Sequence, residues 1–182
     1  MVACAPFPRT GRLPSVSEVS TELTDALGDL VERFDHVSMA VHDIEDSLTL
    51  VALMGGEFRA GGDVDAGFRW IQFNLPGRGK LEIIQPLDPT DETNFLVKFL
   101  TERGEGLHHL TFKVRDLVAA VDQARALGFE VIGVNADGAW KEAFVHPKTS
   151  KGVLIQLAEF TDSPFPPQTI TEVLEGTRGP DS

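Results

Sequence analysis

Cysteine is almost missing from this chain: Cys4 is the only one in 182 residues. A lone thiol builds no disulfide framework, which sets aside the small cross-linked secreted domains and makes a reducing cytoplasm the expected compartment. Basic stretches are missing as well. Lys and Arg number 16 against 28 Asp and Glu, a net charge of -12. No run of cations exists to neutralise phosphates, so nucleic acid is not an expected partner. No apolar run approaches the length of a bilayer span, so no membrane association is expected either. Met1 to Pro14 lack a charged stretch followed by an apolar one, the pattern of a secretory signal. What is present, 42% hydrophobic and 24% charged residues, suits a globular protein with one domain or two small modules sharing a core.

The flanks differ from the middle. Residues 1–33 read as a leader followed by an amphipathic helix, with Val19, Leu23, Leu27, Leu30 and Val31 at helical spacing after Ser15 and Ser17. Residues 161–182 open on Asp162-Ser163-Pro164-Phe165-Pro166-Pro167 and read as an extended C-terminal arm, with a short helical turn around Ile170 to Leu174.

Between them lies an internal repeat. Asp35-His36-Val37-Ser38 aligns with His108-His109-Leu110-Thr111, and Asp43-Ile44 with Asp116-Leu117, at an offset of 73 residues. The same offset places Gly55 on Gly128 and Glu57 on Glu130. An offset that survives a strand, a helix and the turn between them indicates duplication, and duplication decides architecture. Each copy reads as strand, helix and three strands. The first module spans 34–90; the second, with a linking helix over Phe95 to Arg103, spans 91–160. Glycine after each module's helix suits a left-handed C-terminal cap.

Alternation then assigns faces. Val37, Met39 and Val41 oppose His36, Ser38 and Ala40, and Leu81 and Ile83 oppose Glu82. Leu110, Phe112 and Val114 oppose His109 and Thr111, while Val153, Ile155 and Leu157 oppose Gln156. Four strands thus carry an apolar face for helices and a second face bearing His36, Glu82, His109 and Gln156. His36 to Glu82 spans 46 residues and His109 to Gln156 spans 47, so each module offers one imidazole and one oxygen donor. A buried Glu without a partner costs several kcal/mol. Coordination of one divalent cation, Co, Zn, Ni, Mn or Fe, accounts for the set.

Phe34-Asp35-His36-Val37, Gly104-Glu105-Gly106-Leu107-His108-His109 and His146-Pro147-Lys148 followed by Gly152-Val153-Leu154-Ile155 resemble methylmalonyl-CoA epimerases. Those enzymes belong to the vicinal-oxygen-chelate superfamily of glyoxalases, bleomycin-resistance proteins and dioxygenases, and the resemblance covers about residues 34 to 160. It implies an α+β fold of two tandem βαβββ modules forming an incomplete, cup-shaped mixed barrel. It also implies a metal that stabilises an enolate or related oxyanion, with His36, Glu82 and His109 at ligand positions. Two departures stand out. The last-strand ligand is usually Glu in the epimerases and is Gln156 here. Where some epimerases place a carboxylate, this chain has Trp70.

The expected activity is that of a metal-dependent epimerase or isomerase abstracting a proton next to a carbonyl. Glu82 and Glu142 are the candidate acid–base groups. Trp70 and Gln72 would face the substrate, and His146 and Lys148 would contact an anionic group such as a CoA phosphate. The substrate would be an acyl-CoA or a polar ketone, and the protein a homodimer. Other readings keep the fold: a lyase, epimerase or dioxygenase acting on a sugar-like or specialised-metabolite ketone, or a ligand-binding module without catalysis.

Overall fold

The computed structural model describes residues 28–162 and 165–176. The leader and most of the N-terminal helix expected from the sequence lie outside the described residues. Eight strands in an unclosed sheet and four α-helices make the fold mixed α+β, as expected. Strands β1 (Val31–Ala40), β2 (Glu57–Val64), β3 (Phe68–Asn74) and β4 (Lys80–Pro86), with helix α1 (Ile44–Leu53), form the first repeat. Helix α2 (Phe95–Arg103) follows. Strands β5 (Gly106–Val114), β6 (Val131–Asn135), β7 (Lys141–Val145) and β8 (Ile155–Glu159), with α3 (Leu117–Ala126), form the second. A short α4 (Ile170–Leu174) comes last. No helix among the described residues is long and apolar enough to cross a membrane.

The chain divides into two compact units. One takes Asp35–Thr111 and the described residues from Thr161 onward. Its helix α1 begins where the Asp43 side chain accepts the Glu45 backbone N–H, at 2.8 Å. An N-cap of this kind contributes about 1 kcal/mol. Ile44 and Val51 turn inward and join Val41, Ile71, Phe73, Leu81, Ile83 and Val173 in one buried cluster. β4 runs parallel to β1 and antiparallel to β3. The opposite sheet face is covered in part by α2, whose Leu96 and Leu100 pack with Ala40 and Ile84 against Phe68, Trp70 and Phe99. Both faces of this sheet are therefore buried, and a polar residue on the α2 side needs a polar partner.

The other unit takes residues 28–34 and Phe112–Phe160. Asp116 caps α3 at the repeat-related position, accepting the Ala119 N–H at 2.9 Å. Leu117, Ala120, Val121 and Ala124 are buried at helical spacing. The first three pack with Val114, Ala143, Val145 and Leu157. β7 pairs antiparallel with both β6 and β8. Here β1 begins at Val31, five residues before the first site histidine. Leu30 and Val31 pack on this core, so Val31 belongs to a strand and not to the end of the expected helix.

Candidate metal centre

Strand register brings the first unit's site residues together. Ser38 on β1 lies opposite Glu82 on β4, and Glu82 lies opposite Gln72 on β3. Directly opposed residues share a face, so His36, Ser38, Gln72 and Glu82 project to one side. His109 joins them from β5. His36, Glu82 and His109 each offer one ligand atom, and these atoms lie within 4.8 Å of one another. Glu82 Oε2 is 3.5 Å from His36 Nε2 and 3.7 Å from His109 Nε2. The imidazole centroids are 5.9 Å apart, edge to face. Gln72 Nε2 stands at the outer limit of hydrogen bonding, 3.4 Å from His36 Nδ1 and 3.5 Å from Glu82 Oε1.

Each imidazole is held on its far nitrogen by the residue that precedes it. Asp35 Oδ2 lies 2.9 Å from His36 Nδ1 and also accepts from Lys80 Nζ at 2.6 Å. His108 Nδ1 lies 2.8 Å from His109 Nδ1. Asp35 thus accepts from the Nδ1 proton of His36 and turns Nε2 toward Glu82, an orientation typical of ligating histidines once the Nε2 proton is lost. The Thr111 hydroxyl sits 2.9 Å from that Nε2. His36 and Thr111 are at most 1% exposed.

The electrostatics follow from this crowding. Burial opposes the Glu82 charge, but the His36 charge and hydrogen bond and the His109 charge overcome it, and the carboxyl falls to about 2. Burial likewise opposes the His36 charge. Glu82 and Asp35 prevail there and raise the imidazole to about 9. Asp35 is held well below the usual carboxylate range, its burial outweighed by His36 and Lys80. Burial, assisted by the Arg103 charge and resisted by Glu82, takes His108 down to about 4. His108 is therefore neutral at pH 7, with one nitrogen donating and the other accepting. A largely buried carboxylate facing two imidazole nitrogens is a donor set suited to a divalent cation. The residues fit the metal that the sequence leads one to expect, and its binding would displace the His36 proton.

The other expected site residues are distributed as follows. Trp70 shares the face of Gln72, two residues along β3, and its ring lies 5.9 Å from Phe165. Gln156 and Glu142 belong to the second unit and meet there, Gln156 Nε2 donating to Glu142 Oε2 at 2.7 Å. Trp140 Nε1 donates to the same oxygen at 3.0 Å. His146 and Lys148 form one turn, the Lys148 backbone N–H donating to His146 Nδ1 at 3.1 Å. Asp35 and His108, to which sequence reasoning assigned no part in the site, share a signal. They occupy the same repeat position, immediately before each ligand histidine.

An ethylmalonyl-CoA/methylmalonyl-CoA epimerase of Cereibacter sphaeroides is 31% identical over 138 residues, covering 71% of this chain and 99% of the relative. The crystal structure of methylmalonyl-CoA epimerase from Mycobacterium tuberculosis superposes with a TM-score of 0.64 at 30% identity, over 73% of this chain and 91% of that one. A variant of the Streptomyces coelicolor methylmalonyl-CoA epimerase in complex with 2-nitronate-propionyl-CoA gives a TM-score of 0.62 at 25% identity, over 72% and 99%. Residues 35–144 match the family described as the glyoxalase/bleomycin resistance protein/dioxygenase superfamily. The chain belongs to that superfamily, and methylmalonyl-CoA epimerases are among its near relatives.

Proposed function

We propose that this protein is a metal-dependent epimerase that moves a proton on the carbon next to a thioester carbonyl, with an acyl-CoA as substrate. Relatives named as methylmalonyl-CoA epimerases at about 30% identity support an epimerase-like enzyme. The single observation that carries the metal reading is the buried meeting of His36, Glu82 and His109 within 4.8 Å. When bound, the cation supplies a Lewis acid that lowers the energy of negative charge developing on the carbonyl oxygen.

The remaining work falls to the chain. Asp35 and His108 hold the two imidazoles in fixed orientation, so no reorganisation accompanies charge development. Burial on the α2 side of the sheet excludes water and strengthens each interaction in the site. Glu142 is assigned to hold the migrating proton, and Glu82, the other acid–base candidate of the sequence, to hold the cation. Gln156 is assigned as a further oxygen donor on the strength of the repeat alone. His146 and Lys148 are assigned to the CoA phosphates.

The test is deuterium exchange at the alpha carbon of methylmalonyl-CoA. Exchange should vanish when a chelator strips the protein and return when Co or Mn is restored. Exchange that persists in fully stripped protein contradicts the proposal. One observation favours a second reading: two histidines and one carboxylate are also the ligand set of non-haem iron oxygenases. Iron-dependent oxygen uptake with a catechol, without alpha-proton exchange, would select it.

A further inference from the structure

Arg59 has no place in the site described so far. β2 keeps register with β3 except at one point, where Phe58 opposes Phe73 and Ala60 opposes Gln72. Arg59 is therefore the extra residue of a β-bulge. Bulges break strict alternation and re-aim side chains, often beside functional sites. Ala60 pairs with Gln72 and Gln72 with Glu82, and paired residues share a face. Ala60 thus faces the side that bears Trp70, Gln72 and Glu82, and the bulge releases Arg59 from the alternation that would turn it to the other side.

Its contacts agree. The guanidinium carbon lies 5.2 Å from the Phe165 ring centroid, and Phe165 in turn lies against Trp70, 5.9 Å between centroids. Phe165 reaches this position because the C-terminal segment is fastened to β2. Gln168 accepts the Gly61 N–H through Oε1 at 3.0 Å and donates through Nε2 to the Gly61 carbonyl at 3.2 Å. Arg59 Nε is shielded from solvent and makes no hydrogen bond to any described residue. No carboxylate among the described residues pairs with Arg59. A buried donor on a charged group is costly when left unmatched, so an acceptor beyond the described residues is called for.

We propose that Arg59, stacked against Phe165 beside Trp70, receives a carboxylate carried by the substrate. The planar guanidinium suits a bidentate carboxylate, and the aromatic wall excludes water from the pair. In a chain of net charge -12, such a local cation offsets the general repulsion of an acidic substrate. This rests on the acyl-CoA reading above and adds to it one residue, Arg59, that would select a carboxylate-bearing acyl group.

Calorimetric binding of methylmalonyl-CoA and propionyl-CoA, which differ by that carboxylate, tests the assignment in metal-loaded protein. The unmodified protein should prefer methylmalonyl-CoA by about tenfold or more, the scale of one charge-assisted hydrogen-bonded pair. Arg59→Met should abolish the preference by weakening methylmalonyl-CoA alone, with bound metal unchanged by elemental analysis. Arg59→Lys, which keeps the charge without the planar fork, should retain part of it, and Phe165→Ala should reduce it. A preference that survives Arg59→Met, or that is absent from the unmodified protein, overturns the proposal. If neither thioester binds, the acyl-CoA reading fails. Free methylmalonate against propionate then decides on Arg59 by the same criterion.

Discussion

Asp35 and His108 are the residues that fix the orientation of His36 and His109. Each lies next to a ligand histidine in sequence and meets the Nδ1 of that ring, at 2.9 and 2.8 Å. Asp35→Asn and His108→Phe should each weaken divalent metal binding by about 10- to 100-fold, the usual effect of removing an outer-shell partner. Metal titration followed by calorimetry reads this directly, and unchanged affinity in both variants would remove their positioning role.

The His36–Glu82 pair adds a pH dependence of known sign. His36 is raised from 6.5 to about 9, so its contribution to stability is fully present below pH 6.5 and fades as pH rises through about 9. Glu82 is lowered from 4.5 to about 2, so its contribution is present above pH 4.5 and fades as pH falls toward 2. Metal-free protein should therefore melt at progressively lower temperature as pH rises from 6.5 to 9. Metal-loaded protein should lose this trend, because binding takes the site over from the His36 proton. A melting temperature flat across that range without metal would contradict the ion pair.

At the scale of elements, the repeat in the sequence and the repeat in the fold coincide where apolar periodicity is strong. α2 has the bounds expected of it, Phe95 to Arg103, because a capped apolar stripe marks both ends. β1 extends back to Val31 and β2 onward to Val64. Periodicity could not show these extensions. Val31-Glu32-Arg33-Phe34 owes its strand form to packing on a distant core, and Arg59 sits in a bulge that breaks alternation. The histidine and Glu82 face was readable from parity alone. Phe165 and Arg59 were not, since their contact depends on where the C-terminal segment docks.

That docking can be tested. A Cβ on Gly61 would come within 2.7 Å of the Trp70 carbonyl oxygen and 2.8 Å of Val173 Cγ1. Gly61→Ala should cost about 1–3 kcal/mol through overpacking. It should also open residues 165–176 to protease before the sheet unfolds. Denaturant unfolding combined with limited proteolysis checks both, and a stability within error of the unmodified protein would show that α4 does not press on β2 as described.

For the molecule as a whole, duplication explains why histidines occupy equivalent first strands in the two repeats. Each strand–helix–three-strand repeat presents a histidine at its first strand, and Glu82 is the carboxylate on the first repeat's last strand. The central claim is that His36, Glu82 and His109 hold one divalent cation. Elemental analysis of protein purified without chelators, beside its Glu82→Gln variant, tests that claim most directly. The account predicts about one equivalent of metal per chain in the unmodified protein and a sharply reduced amount in the variant, which lacks the set's carboxylate. Equal metal content in the two proteins, or none in the unmodified protein even after titration with Co, Zn, Ni, Mn and Fe, would contradict it.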